Sequence, residues 1–113
     1  VNSICVLAEV IKNKKVINSL KKMRNICGLK NLVCLNELQS IDWMEERKSY
    51  LEIRIGSALA SCGSKKGLKI LIDYLKDCRT ILSNYAYYLL KDISGENYSK
   101  NYKLWKEWWV HLN

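Results

Sequence analysis

With 113 residues, of which 49% are hydrophobic, the chain has room for one small domain with a real core and none for a second. It has no proline, five glycines and no long uncharged apolar run, which excludes a collagen-like chain, a Pro-rich linker and a membrane-spanning helix. The net charge of +8 is uneven, since residues 1 to 30 sum to +6 and residues 31 to 60 to −2.

The absence of proline favours uninterrupted helical ladders, and the apolar spacing predicts an all-α chain. A first helix is expected from about Ser3 to Lys12, capped by Asn2 or Ser3, with Ile4, Leu7, Ala8 and Ile11 as its stripe. A second is expected from about Lys14 to Ile26, with Val16, Ile17, Leu20, Met23 and Cys27 on one side and Lys14, Lys15, Lys21 and Lys22 on the other. Gly28 stands where a helix-ending glycine belongs. A third helix is expected over Leu29 to Leu38, burying Leu32, Val33, Leu35 and Leu38. Residues 41 to 48 read either as a loop or as a helical extension of the next helix, with Asp42 as its cap and Glu45 three residues on.

The fourth helix is expected to run to Ser61 or Cys62 and stop at Gly63, with Leu51, Ile55, Ala58, Leu59 and Cys62 inward. Its small residues Gly56, Ser57, Ala58 and Ala60 place it at the centre of the stack. A fifth carries Leu68, Leu71, Ile72 and Leu75. A sixth, Ile81 to Ile93, carries Leu82, Ala86, Leu89, Leu90 and Ile93 and closes at Ser94-Gly95. The last, from about Lys100 to Leu112, holds Tyr102, Trp105, Trp108 and Trp109. Trp105, Trp109 and Leu112 share a face suited to roofing one end of the stack.

Two segments repeat. Gly28-Leu29-Lys30-Asn31-Leu32-Val33 matches Gly67-Leu68-Lys69-Ile70-Leu71-Ile72 at an offset of 39, and the stripe of the fourth helix matches that of the sixth at an offset of 31. A repeated helix pair with eight extra residues in its first copy accounts for both offsets. The expectation is a right-handed α-α superhelix, a HEAT/armadillo-like solenoid of about three helix pairs (about 3–27, 29–62 and 67–94) with a capping helix at about 100–112. Such arrays offer a surface to a partner.

The pair Leu68 to Ile93, the segments Ala58-Leu59-Ala60-Ser61-Cys62-Gly63 and Leu89-Leu90-Lys91-Asp92-Ile93-Ser94, and the tail Trp105-Lys106-Glu107-Trp108-Trp109 resemble short HEAT-like repeats. These repeats also occur in phycobilisome-lyase-related proteins, and the match is best at the C-terminal end of such arrays. The resemblance implies a protein-binding solenoid, and by analogy alone a lyase or chaperone for a chromophore-bearing protein. The arginine that often follows the first apolar residue of the second helix is Glu52 in one copy and Ser83 in the other, although Asp77 matches the acidic member of the family's ladder.

Chemistry has little foothold. There is no G-x-S-x-G, no phosphate-cradling glycine loop, no H-E-x-x-H, and His111 is the only histidine. Five cysteines without a CxxC give neither a zinc site nor a disulfide framework and read as buried thiols of a reducing compartment, here the cytoplasm. No enzyme, cofactor or metal is therefore expected. The expected function is a protein-protein interaction scaffold whose concave face carries Glu52, Arg54, Tyr87, Tyr88 and Lys91, residues off the apolar stripes. The alternative is nucleic-acid binding through the basic patch Lys14, Lys15, Lys21 and Lys22, extended by Lys65, Lys66 and Lys69, and the rival view of that patch is a solvated outer face. Starting at Val1 without a methionine and without an aromatic cover at its N-terminal end, the chain reads as a processed product or a piece of a longer array, or as one that self-associates through that end.

Overall fold

A computed structural model describes residues 16–29, 32–35 and 43–112, the side chains of Trp43 and Met44 excepted. These residues form five helices and no strand: α1 (Ile17–Ile26), α2 (Trp43–Ser61), α3 (Lys65–Tyr74), α4 (Thr80–Ser94) and α5 (Tyr102–Val110). The helix expected over Ser3 to Lys12, and Lys14 and Lys15 of the basic patch, lie outside the described residues.

Helix ends follow the glycines. After α1, Gly28 takes φ +67 while its N–H donates to the Asn25 carbonyl and the Leu29 N–H donates to that of Arg24. After α2, Gly63 takes φ +95, with the same paired bonds from Gly63 to Ala60 and from Ser64 to Leu59. This is the Schellman arrangement, in which a left-handed residue satisfies the last carbonyls of a helix. The segment 41–48 is helical from Trp43 onward, which selects the extension over the loop. Glu45 and Glu46 sit in the first turn, where the helix dipole favours carboxylates.

Short links make α2 antiparallel to α3 and α3 antiparallel to α4, so α2 and α4 run the same way and lie side by side. The closest approach is between α2 and α3. A Cβ on Gly67 would press on the Ala60 nitrogen and lie 2.6 Å from the Gly56 carbonyl oxygen, and one on Gly56 would lie 2.8 Å from Ile70 Cγ2. The small residues of α2 thus do what their size predicts. Ile53, Ile55, Ala58 and Leu59 of α2, Leu71, Ile72 and Tyr74 of α3, and Leu82, Ala86 and Leu90 of α4 form one buried core with Leu20 of α1.

The last helix, α5, packs on α3 and brings the aromatic tail against the core. Trp105 is its centre: fully buried, edge-on to Tyr98 and Trp108, with its Nε1–H donated to the Ser99 carbonyl at 2.7 Å. Trp109, expected beside it, is only half-buried.

The third expected helix fails. Residues 32–35, central to the span Leu29 to Leu38, are not helical, so the first copy of the repeat does not fold as the second does. The reason lies in where the backbone groups go. The Leu32 N–H donates to Glu52 Oε1 at 3.1 Å, and the Leu32 carbonyl accepts from Ser49 Oγ and from Arg79. The Cys34 N–H donates to Asp77 Oδ2, and the Cys34 carbonyl accepts from the Cys78 N–H at 2.7 Å. Side chains of α2 and groups of the α3–α4 link take the place of a helical ladder at Leu32 and Cys34, whose N–H and C=O groups are all satisfied there.

Candidate functional site

Three clusters of polar or aromatic side chains emerge from this frame. The first is interior. Glu52 faces inward from α2 at 2% exposure, and accepts from Arg24 at 2.7 Å, from the Tyr74 hydroxyl at 2.6 Å and from the Leu32 N–H. The sequence reading placed Glu52 on a binding surface; the structure corrects this, because its buried carboxylate is taken up by three donors of the chain itself. Burial, then the neighbouring Glu52 charge, pushes the Tyr74 hydroxyl well above the ordinary tyrosine range. Next to it, Asp77 is bonded by the Arg79 backbone N–H and by Nε and Nη2 of its guanidinium, whose second contact from Nη2 is Ser49 Oγ at 3.0 Å. The bond to Asp77 is the main cause that raises the Arg79 pKa. Arg79 Nη1 is buried with no hydrogen-bond partner among the described residues. Ser83 donates to the Thr80 carbonyl.

The second cluster lies on the outer face of α2 and α4. Ile81, Tyr85 and Tyr88 recur at i, i+4 and i+7 on α4, opposite the buried Leu82, Ala86 and Leu90. Tyr85 stacks on Tyr50 of α2, with centroids 5.3 Å apart and planes at 8°, and its hydroxyl accepts from Arg54 at 3.1 Å. Burial pushes the Tyr85 hydroxyl up, and the Arg54 bond opposes that. Lys91 places its ammonium 5.3 Å from the Tyr88 ring centroid and 5.7 Å from that of Tyr87, whose hydroxyl donates to Asn97. Ile81 and Tyr88 are more than half exposed, and a shallow depression of about 300 Å³ lies among Glu46, Arg47, Tyr50, Ile81 and Leu82.

Of the five residues expected on this face, Tyr87, Tyr88 and Lys91 are brought together, Arg54 joins them through Tyr85, and Glu52 points the other way. Tyr50, Ile81 and Tyr85 were missed by sequence reasoning. The signal for two of them was present in the second stripe of α4, which is apolar and aromatic yet faces away from the core.

The third cluster is a cleft of about 360 Å³ where α1, α3 and α5 meet, lined by Arg24, Lys66, Lys69, Ile70, Asp73 and Trp109. Trp109 donates its Nε1–H to the Lys65 carbonyl at 2.7 Å, and the Lys65 ammonium lies 4.6 Å over the indole. Desolvation raises the Asp73 pKa, while Lys69, Lys76 and Lys106 pull it back. Of the basic patch, Lys22 is exposed and Lys21 half-buried on α1. Lys66 and Lys69, the expected extension, reach the cleft wall.

Among the described residues no group of three His, Cys, Asp or Glu side chains gathers as a metal would require, and no helix is long and apolar enough to cross a membrane. Comparison with models of protein families, with curated proteins and with solved structures finds no match.

Proposed function

We propose that this chain is a non-catalytic interaction module, a short HEAT-like array that takes up another protein on the tyrosine-bearing face of α2 and α4. The observation that carries this reading is the row of exposed Tyr50, Ile81 and Tyr88 with the partly buried Tyr85 among them, flanked by Arg54 and Lys91. Tyrosine and arginine supply large, rigid, amphipathic contact area, and they dominate the few residues that hold interfaces together. Lys91 and Arg54 suit a partner segment that presents apolar side chains with carboxylates beside them. The array reading is supported by the parallel course of α2 and α4, by α3 packed against both, and by a thin dimension of 18 Å, about two helices. A second reading, nucleic-acid binding, is favoured by one observation: Arg24, Lys66, Lys69 and an indole line the same cleft.

One experiment separates them. The wild-type chain, a Tyr50→Ala/Tyr88→Ala variant and a Lys66→Glu/Lys69→Glu variant are immobilised and exposed to extract of the source cell. In parallel, each is titrated with a single-stranded oligonucleotide across a salt series. The proposal expects a retained protein that the tyrosine variant loses and the lysine variant keeps. Oligonucleotide binding that falls steeply with salt and disappears in the lysine variant, with nothing lost in the tyrosine variant, would overturn it in favour of the second reading.

A further inference from the structure

The interior cluster holds two sulfur atoms that neither reading uses. Cys34 Sγ and Cys78 Sγ are 3.3 Å apart, on residues separated by 44 positions. The same residues share a direct backbone bond, from the Cys78 N–H to the Cys34 carbonyl at 2.7 Å. That bond and the sulfur contact together hold the two residues at the close range a disulfide needs. The pair is fixed on both sides. Cys34 is anchored by its N–H to Asp77, and Cys78 sits between Asp77 and Arg79, which are locked to each other by three bonds. Cys34 is 7% exposed, whereas Cys78 is partly open to solvent.

We propose that Cys34 and Cys78 form a reversible redox site, in which a low-molecular-weight disulfide of the glutathione type oxidises the two thiols to an intramolecular disulfide. The Cys78 thiolate, on the accessible side, attacks one sulfur of glutathione disulfide. The S–S bond of the reagent breaks, a mixed disulfide forms, and one glutathione thiolate leaves and takes up a proton. Cys34, losing its proton, attacks the Cys78 sulfur and expels the second glutathione, which is protonated in turn. Two protein thiols are oxidised, one glutathione disulfide is reduced, and two protons pass from the protein thiols to the departing ones.

The bond to the Cys34 sulfur and burial push the Cys78 thiol up, against a smaller opposing pull from Arg79. Exchange is therefore slow at neutral pH and accelerates as pH rises. The product would staple the segment 32–35 to the α3–α4 link, closing a loop across α2 and α3.

The test uses the full chain with Cys5→Ser and Cys27→Ser, which leaves Cys62, at 2% exposure, as the only thiol beside the pair. The protein is equilibrated at pH 8 in glutathione buffers of stepped oxidised-to-reduced ratio, alkylated, and analysed by peptide mapping and thermal melting. The expected result is joint loss of both alkylation sites, a peptide linking the two segments that is two hydrogens lighter, and Tm raised by roughly 10 °C and restored by dithiothreitol. Cys78→Ser, which keeps a hydroxyl at that position, should leave Cys34 unmodified and Tm insensitive to the buffer. Continued alkylation of both thiols in glutathione disulfide alone would overturn the proposal, as would a stable glutathione adduct on Cys78 or an oxidised form that melts lower. The buffer-dependent melt of the protein with the pair intact is read independently of how well the serine variant folds.

Discussion

Glu52 shows how far one side chain can reach. A single carboxylate in α2 gathers a cation from α1, a hydroxyl from α3 and a backbone N–H from the connecting segment, so three parts of the chain meet at two oxygen atoms. Its position off the apolar stripe suggests exposure, because periodicity sorts residues by hydrophobicity and is blind to a charge whose partners lie 20 to 28 residues away. The Tyr74 hydroxyl is held neutral by the same arrangement, with a pKa raised above the ordinary value of about 10. In the unfolded chain that hydroxyl ionises near pH 10, whereas the folded chain keeps its proton, so the native state binds more protons and loses stability as pH rises past 10. Denaturant titrations at pH 9 to 11 should show this loss, at up to ~1.4 kcal/mol per pH unit from this group. Tyr74→Phe should be less stable at pH 8 by ~1–2 kcal/mol for the lost bond, and its stability should fall less steeply above pH 10.

At the level of elements, the contact between α2 and α3 is the tightest in the described chain, and it depends on Gly67 having no side chain. Alanine is the better helix former by ~1 kcal/mol, so on propensity alone Gly67→Ala would stabilise α3. The Ala60 backbone stands in the way, and main chain cannot rotate aside as a flexible side chain does. The expected outcome is net destabilisation of ~2–3 kcal/mol, measured by urea unfolding, with the helices forced apart. Gly28 stands in the equivalent place of the repeated motif and does something different: it ends α1 in a left-handed turn, with open space around it. That contrast marks the limit of the sequence. The stripes of α2 and α4, the glycine stops and the aromatic tail were legible, because each is a local pattern with one physical solution. The fate of Leu32-Val33-Cys34-Leu35 was not, because its apolar residues fit a helix, while the groups that bond its backbone arrive from Ser49, Glu52, Asp77 and Arg79. On the tyrosine face, Tyr87, Tyr88 and Lys91 were readable from what the core stripe leaves out. Tyr50 was not, since only the juxtaposition of α2 and α4 makes it a neighbour of Tyr85.

For the molecule as a whole, the radius of gyration of 13.3 Å is that of a compact domain of this length, and the core is one continuous cluster from Leu20 to Trp105. The cover at the α5 end contributes through a single fully enclosed indole. Trp105→Ala should cost ~3–5 kcal/mol, the range for emptying a core site of that size. Trp109→Ala should cost less, because Trp109 is only partly buried where Trp105 is fully enclosed, and a thermal melt in which Trp109→Ala is the more damaging of the two would contradict the placement of α5. The same comparison bears on the basic cleft, since loss of Trp109 removes one wall of it while leaving the core filled.

The segment 32–35 is bonded to distant parts of the chain. Its backbone partners belong to α2 and to the link after α3, between 17 and 47 residues further along the chain. These pairings span long stretches of sequence, so the segment seats only once α2 and the α3–α4 link stand in position. The described residues that precede α2 are thus held in two ways, by the burial of Leu20 and Leu29 and by the bonds that Glu52 and Asp77 accept, and only the second answers to pH and ionic strength.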